Sequence, residues 1–498
     1  MPIDAVPLAN GTRLGEKTGR RGCHPPAGRR DSATEPSLTG VGDHRLMPSD
    51  VRTREQQCEV VVVGAGAAGL VAGSTLAGSA DVVVLEAATR PGGRVESVRH
   101  GDYWLNVGTQ FTEGEGPLFD VMDRYGIERG TLAGRKAALY LGGRLVTTDN
   151  PPLLLLRSRM PFAAKLELAR VGLRIKYACR RLFGTDAEAA RAIQTRLDSQ
   201  SGTEALMVGV RSPEMVALFA TWAGQWIGCD PHETAATQLA ISIGTALEKA
   251  AKVPNFALPV GGNQTFTDAL AYELGDRLRL GAEVQRITWT DDNVTVEYVD
   301  ADGPVRLRAK RAVVATPADC ALGIMPDLPE AQRTALADIK YGRYILVGLF
   351  TNEQGPQRWD DYYGISTPEL SFQMLFNHAA PLRAQGPRKP GGALTLFSGG
   401  SAADKLAQLP DEEIEAGFLR DLITMFPELD GQIDNVVVKR QPRVVSFWEP
   451  GKRDASQTTL RRPLGPIRFA GDYLGDPSLA AAAAAGQRAA VKTLESLS

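Results

Sequence analysis

Glu59-Val60-Val61-Val62-Val63-Gly64-Ala65-Gly66-Ala67-Ala68-Gly69-Leu70 decides how this chain of 498 residues is read. A run of β-branched residues, suited to a strand, stops at three spaced glycines. An alanine-rich, helix-compatible stretch follows, and a second run, Val82-Val83-Val84-Leu85, ends in Glu86. Strand, tight turn, helix, strand and acid in that order form the pattern of a dinucleotide-binding βαβ unit. Gly64 permits the turn, Gly66 lets the backbone approach a diphosphate, and Gly69 lets helix and strand pack closely. The N–H groups that begin the helix, among them those of Ala67 and Ala68 beyond Ala65, offer donors and a partial positive charge. Glu86 is placed to accept from the ribose hydroxyls of an adenosine. The three glycines alone would be a weak signal; the flanking elements and the acid make it a specific one.

Bulk properties set the frame. The length predicts two or three domains, and 43% hydrophobic with 23% charged residues is the balance of a globular chain. A net charge of -2 gives no general attraction to nucleic acid or to anionic membranes. The five cysteines, Cys23, Cys58, Cys179, Cys229 and Cys320, show no CxxC pair. That argues against a disulfide framework or a metal site, and predicts a reducing, cytoplasmic location. No run approaches the 18 or so apolar residues of a membrane span. Residues 1–55 are rich in Gly, Pro, Arg, Ser and Thr without periodicity and are expected to be disordered; no apolar segment follows Arg20-Arg21 or Arg29-Arg30 to suggest a signal peptide.

A second glycine turn follows the acid-bearing strand: Ala87-Ala88-Thr89-Arg90-Pro91-Gly92-Gly93-Arg94. Its cations suit a diphosphate, Arg94 more than Arg90, which reads equally well as a surface charge. The pairing of the Gly64–Gly69 turn, Glu86 and this RxGGR turn resembles the flavin amine oxidase superfamily, which spans amine oxidases, protoporphyrinogen oxidases and phytoene-type desaturases. The resemblance covers residues 58–495. It implies an α/β fold in which a Rossmann-like FAD-binding domain is interleaved with an α+β substrate domain of antiparallel sheet plus helices. The FAD-binding parts are then 56–135, 256–317 and 441–498; the substrate domain is helical over 136–255 and sheet over 318–440.

What the resemblance implies for the site follows its motifs. Asn106-Val107-Gly108-Thr109-Gln110 looks like the segment under the flavin ring. Pro259-Val260-Gly261-Gly262-Asn263 opens a helix, and the strand after it brings Val284 to the adenine. Arg311-Ala-Val-Val-Ala315-Thr316-Pro317 precedes the crossing into the substrate domain. Phe469-Ala470-Gly471-Asp472 delivers an acid for the ribityl or phosphate side, and Leu479, Ala480, Ala481 and Ala482 begin a helix of small residues that approaches the ring. FAD is expected to be non-covalent, because the last cysteine, Cys320, lies far before the C-terminal motif.

The substrate region is less determinate. Residues 112–255 read as mostly helical. From Pro161 to Phe183 two apolar stripes share a helix with Lys165, Arg170, Arg174, Lys176, Arg180 and Arg181. Two stripes predict packing on two sides, although a basic helix of this kind also suits a membrane surface. Trp222 and Trp226 share a helix face, for which core packing is the expected role. Strand-like runs over 344–350, 371–377, 394–398 and 436–439 predict an antiparallel roof over the flavin. Tyr344, Phe376, Phe397 and Trp448 are the cavity candidates, while His378 reads as a loop histidine without catalytic duty.

The expected reaction is hydride removal from a C–N bond to flavin, with C–C desaturation as the alternative. Many amine oxidases of this superfamily carry a lysine that holds a water at the flavin; here that position falls near Leu346, and Lys340 lies before the strand. The implied partners are a small apolar or aromatic substrate and oxygen or a quinone as acceptor, with a homodimer and peripheral membrane contact both compatible with the chain.

Overall fold

The computed structural model describes residues 53–110, 112–113, 116–131, 136–147, 157–249, 256–384, 387–475 and 477–497. Nearly all of the expected N-terminal extension lies outside them, and β1 (Arg54–Val63) already begins at Arg54. It leads into α1 (Ala67–Ala77) and returns as β2 (Val82–Glu86), parallel to β1 with Val60 opposite Val82 and Val63 opposite Leu85. Val60 and Val62 pack beneath α1, while Val61 and Val63 enter the apolar cluster on the opposite face. Burial on both faces explains the unbroken valine run, where a half-exposed strand would alternate.

The strand Gly303–Val314 lies on the other side of β1, parallel to it, and Leu278–Leu280 flanks β2. Ile467–Phe469 joins the end of Gly303–Val314, again parallel. The carboxyl ends of these strands share one edge, the place where open α/β sheets bind ligands. There the turns at 64–66, 86–94, 315–317 and 470–472 gather. The stretch 278–287, which alternates like one strand, divides at Gly281, whose φ of +67° turns the chain. Leu278–Leu280 stays with β2, and Glu283–Trp289 starts an antiparallel hairpin with Val294–Asp300.

The second large sheet runs, in spatial order, Ile433–Gln441, Tyr344–Thr351, Gly392–Gly399, Met374–Asn377, Tyr362–Ser366, Lys136–Leu141 and Arg144–Thr147. The last two strands correct the helical reading of 112–255. Gly142 and Gly143 both have positive φ, +60° and +68°, and close a tight hairpin there. Along Tyr344–Thr351 the side chains alternate. Ile345, Val347 and Leu349 face an outer core with Phe418 and Leu422 of the Asp411–Met425 helix; Leu346 and Phe350 face inward to Tyr103 and Leu105.

Helices Phe162–Leu182, Ala187–Asp198, Pro213–Ile227 and Ala236–Lys249 enclose a third core. The first of them departs from expectation. Leu168, Val171 and Ile175 are buried, but Phe162, Leu166, Leu173 and Tyr177 face solvent. The helix is packed on one side, not two.

Candidate active site

One cavity of about 1080 Å³ runs from the glycine turn to the inner face of the roof sheet. At its nucleotide end the walls are mainly backbone. Gly64, with φ +98°, donates its N–H to the Leu85 carbonyl at 2.7 Å, and Gly69 lies so close that an added Cβ would stand 1.8 Å from the Gly64 oxygen. By contrast, a Cβ on Gly66 would meet no atom within 4 Å: the space before it is cavity. α1 starts at Gly66 without a side-chain cap, so its first N–H groups remain for a ligand.

Glu86 accepts from the backbone N–H of Ala65 at 2.7 Å and of Ala88 at 2.9 Å. A carboxylate has about four acceptor positions, so capacity remains for ribose hydroxyls. Arg94 does not stand as a free cation. It forks onto Asp472, with contacts of 2.7 and 3.0 Å, and donates to the Val444 carbonyl. Burial raises the Asp472 pKa, but the Arg94 charge and hydrogen bonds, with those of Ser446, outweigh it and hold the carboxyl below its ordinary range. The pair faces the cavity as a neutral fork. Arg90 is spent on its own turn, donating to the carbonyls of Pro91, Gly93 and Val95 and to Glu96.

The loop 106–110 is pinned from both sides. Asn106 donates to the Gln110 carbonyl at 2.8 Å and accepts from Ser97 and from the Asn263 N–H; Asn263 in turn donates to the Thr109 carbonyl at 2.6 Å. The Gln110 amide donates to the carbonyls of Asn106 and Gly108, each at 2.9 Å. Its oxygen therefore accepts from His378 Nε2 at 3.2 Å, which fixes that proton. His378 is buried, and burial pushes its pKa down to about 3, so the ring is neutral. It lies behind Gln110 and does not line the cavity.

At the other end the walls are side chains. Tyr344 and Phe397 have ring centroids 4.9 Å apart, and Phe376 lies 5.6 Å from Phe397. Tyr344 donates its hydroxyl to the Gln225 carbonyl at 2.8 Å, and burial pushes its pKa well up. Trp226, Met374, Ile241, Gln225 and Gln441 complete this end. Among the described lining residues it carries no carboxylate, lysine or histidine.

The cavity thus brings together Gly64, Gly66, Ala67, Ala68, Glu86, Ala87, Gly93, Arg94, Gly108, Thr109, Gln110, Val284, Thr316, Gly471, Asp472, Leu479, Ala480 and Ala482, with Tyr344, Phe376 and Phe397. Ala65, Gly69 and Ala481 lie behind the wall, the last with its N–H capped by Ser478. Trp448 needs correction. Its strand Ser446–Trp448 pairs with Ile339–Tyr341 and buries the indole in the core beneath the nucleotide sheet, away from the cavity. Trp226, expected in the core, lines the cavity. The glutamines Gln225, Gln238 and Gln441 had no sequence signal, because isolated amides belong to no spacing rule. Leu346 is buried in the inner core, and Lys340 points away, its Nζ on the Ala337 carbonyl at 3.2 Å.

A glycine cradle, an uncapped helix start and the unpartnered buried hydroxyl of Thr316 fit a dinucleotide cofactor. The family model for flavin-containing amine oxidoreductases matches residues 67–494. This chain belongs to that family: it is an amine oxidase-like oxidoreductase, and its cofactor is FAD. Putrescine oxidase of Kocuria rosea is 27% identical over 463 residues, covering 86% of this chain and 92% of that protein. Among solved structures, putrescine oxidase bound to putrescine superimposes with a TM-score of 0.72 at 21% identity, over 89% of this chain and 100% of that one. Cyclohexylamine oxidase from Brevibacterium oxydans IH-35A gives 0.73 at 23% identity, over 88% and 99%. At these identities the two structures speak for the fold.

Proposed function

We propose that the substrate is a primary monoamine carrying a hydrocarbon ring, oxidised at its C–N bond, and that FAD is held without a covalent link. The observation that carries this reading is the substrate end of the cavity: Tyr344, Phe376, Phe397 and Trp226 wall it, and no carboxylate among its described residues would pair a second ammonium. Burying an unpaired charge costs several kcal/mol, which disfavours a diamine. FAD, when bound, supplies the two-electron acceptor for hydride removal from the carbon next to nitrogen.

The chain's own part is positioning. The aromatic faces of Tyr344 and Phe397 hold the hydrocarbon body and the amine against the pinned loop 106–110, and the apolar walls exclude water. No group at this end has a pKa suited to a general base: the Tyr344 phenol is shifted up and is hydrogen-bonded. The substrate therefore sheds its ammonium proton to solvent before reacting, and kcat/KM should rise with pH towards the amine's own pKa. Cys58, Cys179, Cys229 and Cys320 form no disulfide with one another, in keeping with a reducing, cytoplasmic location, and oxygen or a quinone is the proposed electron acceptor.

Anaerobic bleaching of the flavin tests the reading. Cyclohexylamine or benzylamine should bleach it with kcat/KM at least about tenfold above putrescine, a difference of roughly 1.4 kcal/mol. Preference for putrescine would refute the substrate class. Bleaching by a polyene or porphyrinogen but by no amine would establish the desaturase alternative instead.

A further inference from the structure

We infer that the exposed face of the Phe162–Leu182 helix is a docking surface for anionic lipid bilayers. Phe162 is 82% exposed, Leu173 67%, Tyr177 54% and Leu166 43%. Their spacing of four, seven and four residues places them along one stripe, opposite the buried Leu168, Val171 and Ile175. Helical geometry sets Lys165 and Lys176 on one flank of that stripe and Arg170 and Arg181 on the other. The helix has six cations in all, and its single carboxylate, Glu167, is buried and turned to the backbone N–H groups of Arg211 and Ser212.

The same positive character continues past the helix end. Leu182 and Phe183 wall a second cavity, of about 680 Å³, whose other walls carry Arg453, Arg461, Arg462, Arg468, Arg488 and Lys492 against one carboxylate, Asp454. Phe183, 61% exposed, also borders the FAD cavity.

Charge decides the occupant. A two-fold contact between copies of this chain would set the exposed cations Arg170, Lys176, Arg180 and Arg181 against their own copies. An anionic partner is required, although the chain as a whole carries -2. A helix of 21 residues, about 30 Å long, with bulky apolar groups on its crest and cations on both shoulders suits a flat, fluid surface. The apolar crest enters the headgroup boundary while lysines and arginines meet the phosphates. No helix among the described residues is long and apolar enough to cross a membrane, so the contact is peripheral.

The test is sedimentation of the flavin-loaded, full-length protein with vesicles of phosphatidylcholine alone or mixed with phosphatidylglycerol. The protein should sediment with the mixed vesicles and be released by salt. Arg170→Gln should weaken binding roughly fivefold, and Arg170→Gln/Arg181→Gln by the square of that. Leu166→Glu/Leu173→Glu should abolish it. All three variants should keep FAD and turn over a soluble amine as before, since none of these residues lines the FAD cavity. Absence of binding to mixed vesicles, equal binding to neutral ones, or unchanged binding by the Leu166→Glu/Leu173→Glu protein would overturn the inference. Conversion of a dimer to a monomer by that variant, without any vesicle binding, would assign the face to self-association instead. Amine turnover is read separately, so a wrong substrate class would leave this result standing.

Discussion

The two ends of the large cavity are built from different materials. The nucleotide end is backbone: the turn at Gly64–Gly66, the uncapped start of α1, and a carboxylate already holding two N–H groups. The roof end is side chain: Tyr344, Phe376 and Phe397 on neighbouring strands, backed by amides that come from elsewhere in the chain. Backbone walls tolerate almost no change of shape, because a single Cβ is the smallest possible intrusion. Side-chain walls can be trimmed and refilled at modest cost. The first end therefore fixes which cofactor is held, and the second is where related enzymes can differ in substrate.

The sharpest way to break that contrast lies within the turn itself. Gly69→Val places a side chain 1.8 Å from the Gly64 oxygen, with Ala315 next to it, and α1 can no longer seat against β1. No folded protein should be recovered, and a variant with a normal melting transition would refute the packing. Gly66→Val differs by three residues and should differ in kind. Nothing stands within 4 Å of the new Cβ and φ is an ordinary -72°, so the chain should fold like flavin-free wild type. FAD affinity should fall at least about a hundredfold, roughly 3 kcal/mol. Flavin retained at wild-type level after gel filtration would sink the cradle.

Next in size is the fork between the ends. Arg94→Met strands Asp472, which is 8% exposed, and removing one partner of such a pair costs about 3–5 kcal/mol; the lower figure suits an arginine that is itself one-third exposed. Asp472 has its folded pKa depressed, so the pair's contribution is fully present above the ordinary carboxylate value of about 3.9 and is lost as pH falls through the lower folded value. Urea melts should thus show a large gap between wild type and variant at pH 7 that narrows in acid. A gap that widened in acid would mean that Arg94 stabilises something other than the carboxylate.

The nucleotide end was legible in the sequence because its requirements are conformational. Gly64, Gly69 and Glu86 sit at fixed offsets from a strand, and offsets survive in one dimension. Even there the partners were not all legible: Arg94 and Asp472 were both placed at the site, but their engagement with each other depends on a fold that joins residues 378 apart in sequence. The roof was legible as strands and as three aromatic residues. Trp448 went astray because an aromatic residue on a short strand faces whichever core its register dictates, and register is set by the partner strand. The helix from 162 to 182 shows the same limit from the other side. Two apolar stripes could be counted in the sequence, but only the packed chain shows that one of them faces solvent.

His378 gives the smallest and most specific test, because it joins the two ends. It lies just beyond the roof strand Met374–Asn377 and holds the Gln110 amide of the loop 106–110. Its folded pKa of about 3 lies far below the ordinary 6.5, because burial disfavours the imidazolium. The unfolded chain therefore binds a proton that the folded one refuses between those values, and stability falls as pH drops through that window. From pH 7 to pH 5 the loss attributable to this group is about 2 kcal/mol. His378→Asn keeps a donor for Gln110 but removes the titration. The variant should be less stable than wild type at pH 7 by the loss of ring packing, and that deficit should shrink by about 2 kcal/mol at pH 5. Denaturant titrations of both proteins at the two pH values measure it directly. A deficit independent of pH would place the histidine in contact with water, and Gln110 would then be held by its two backbone carbonyls alone.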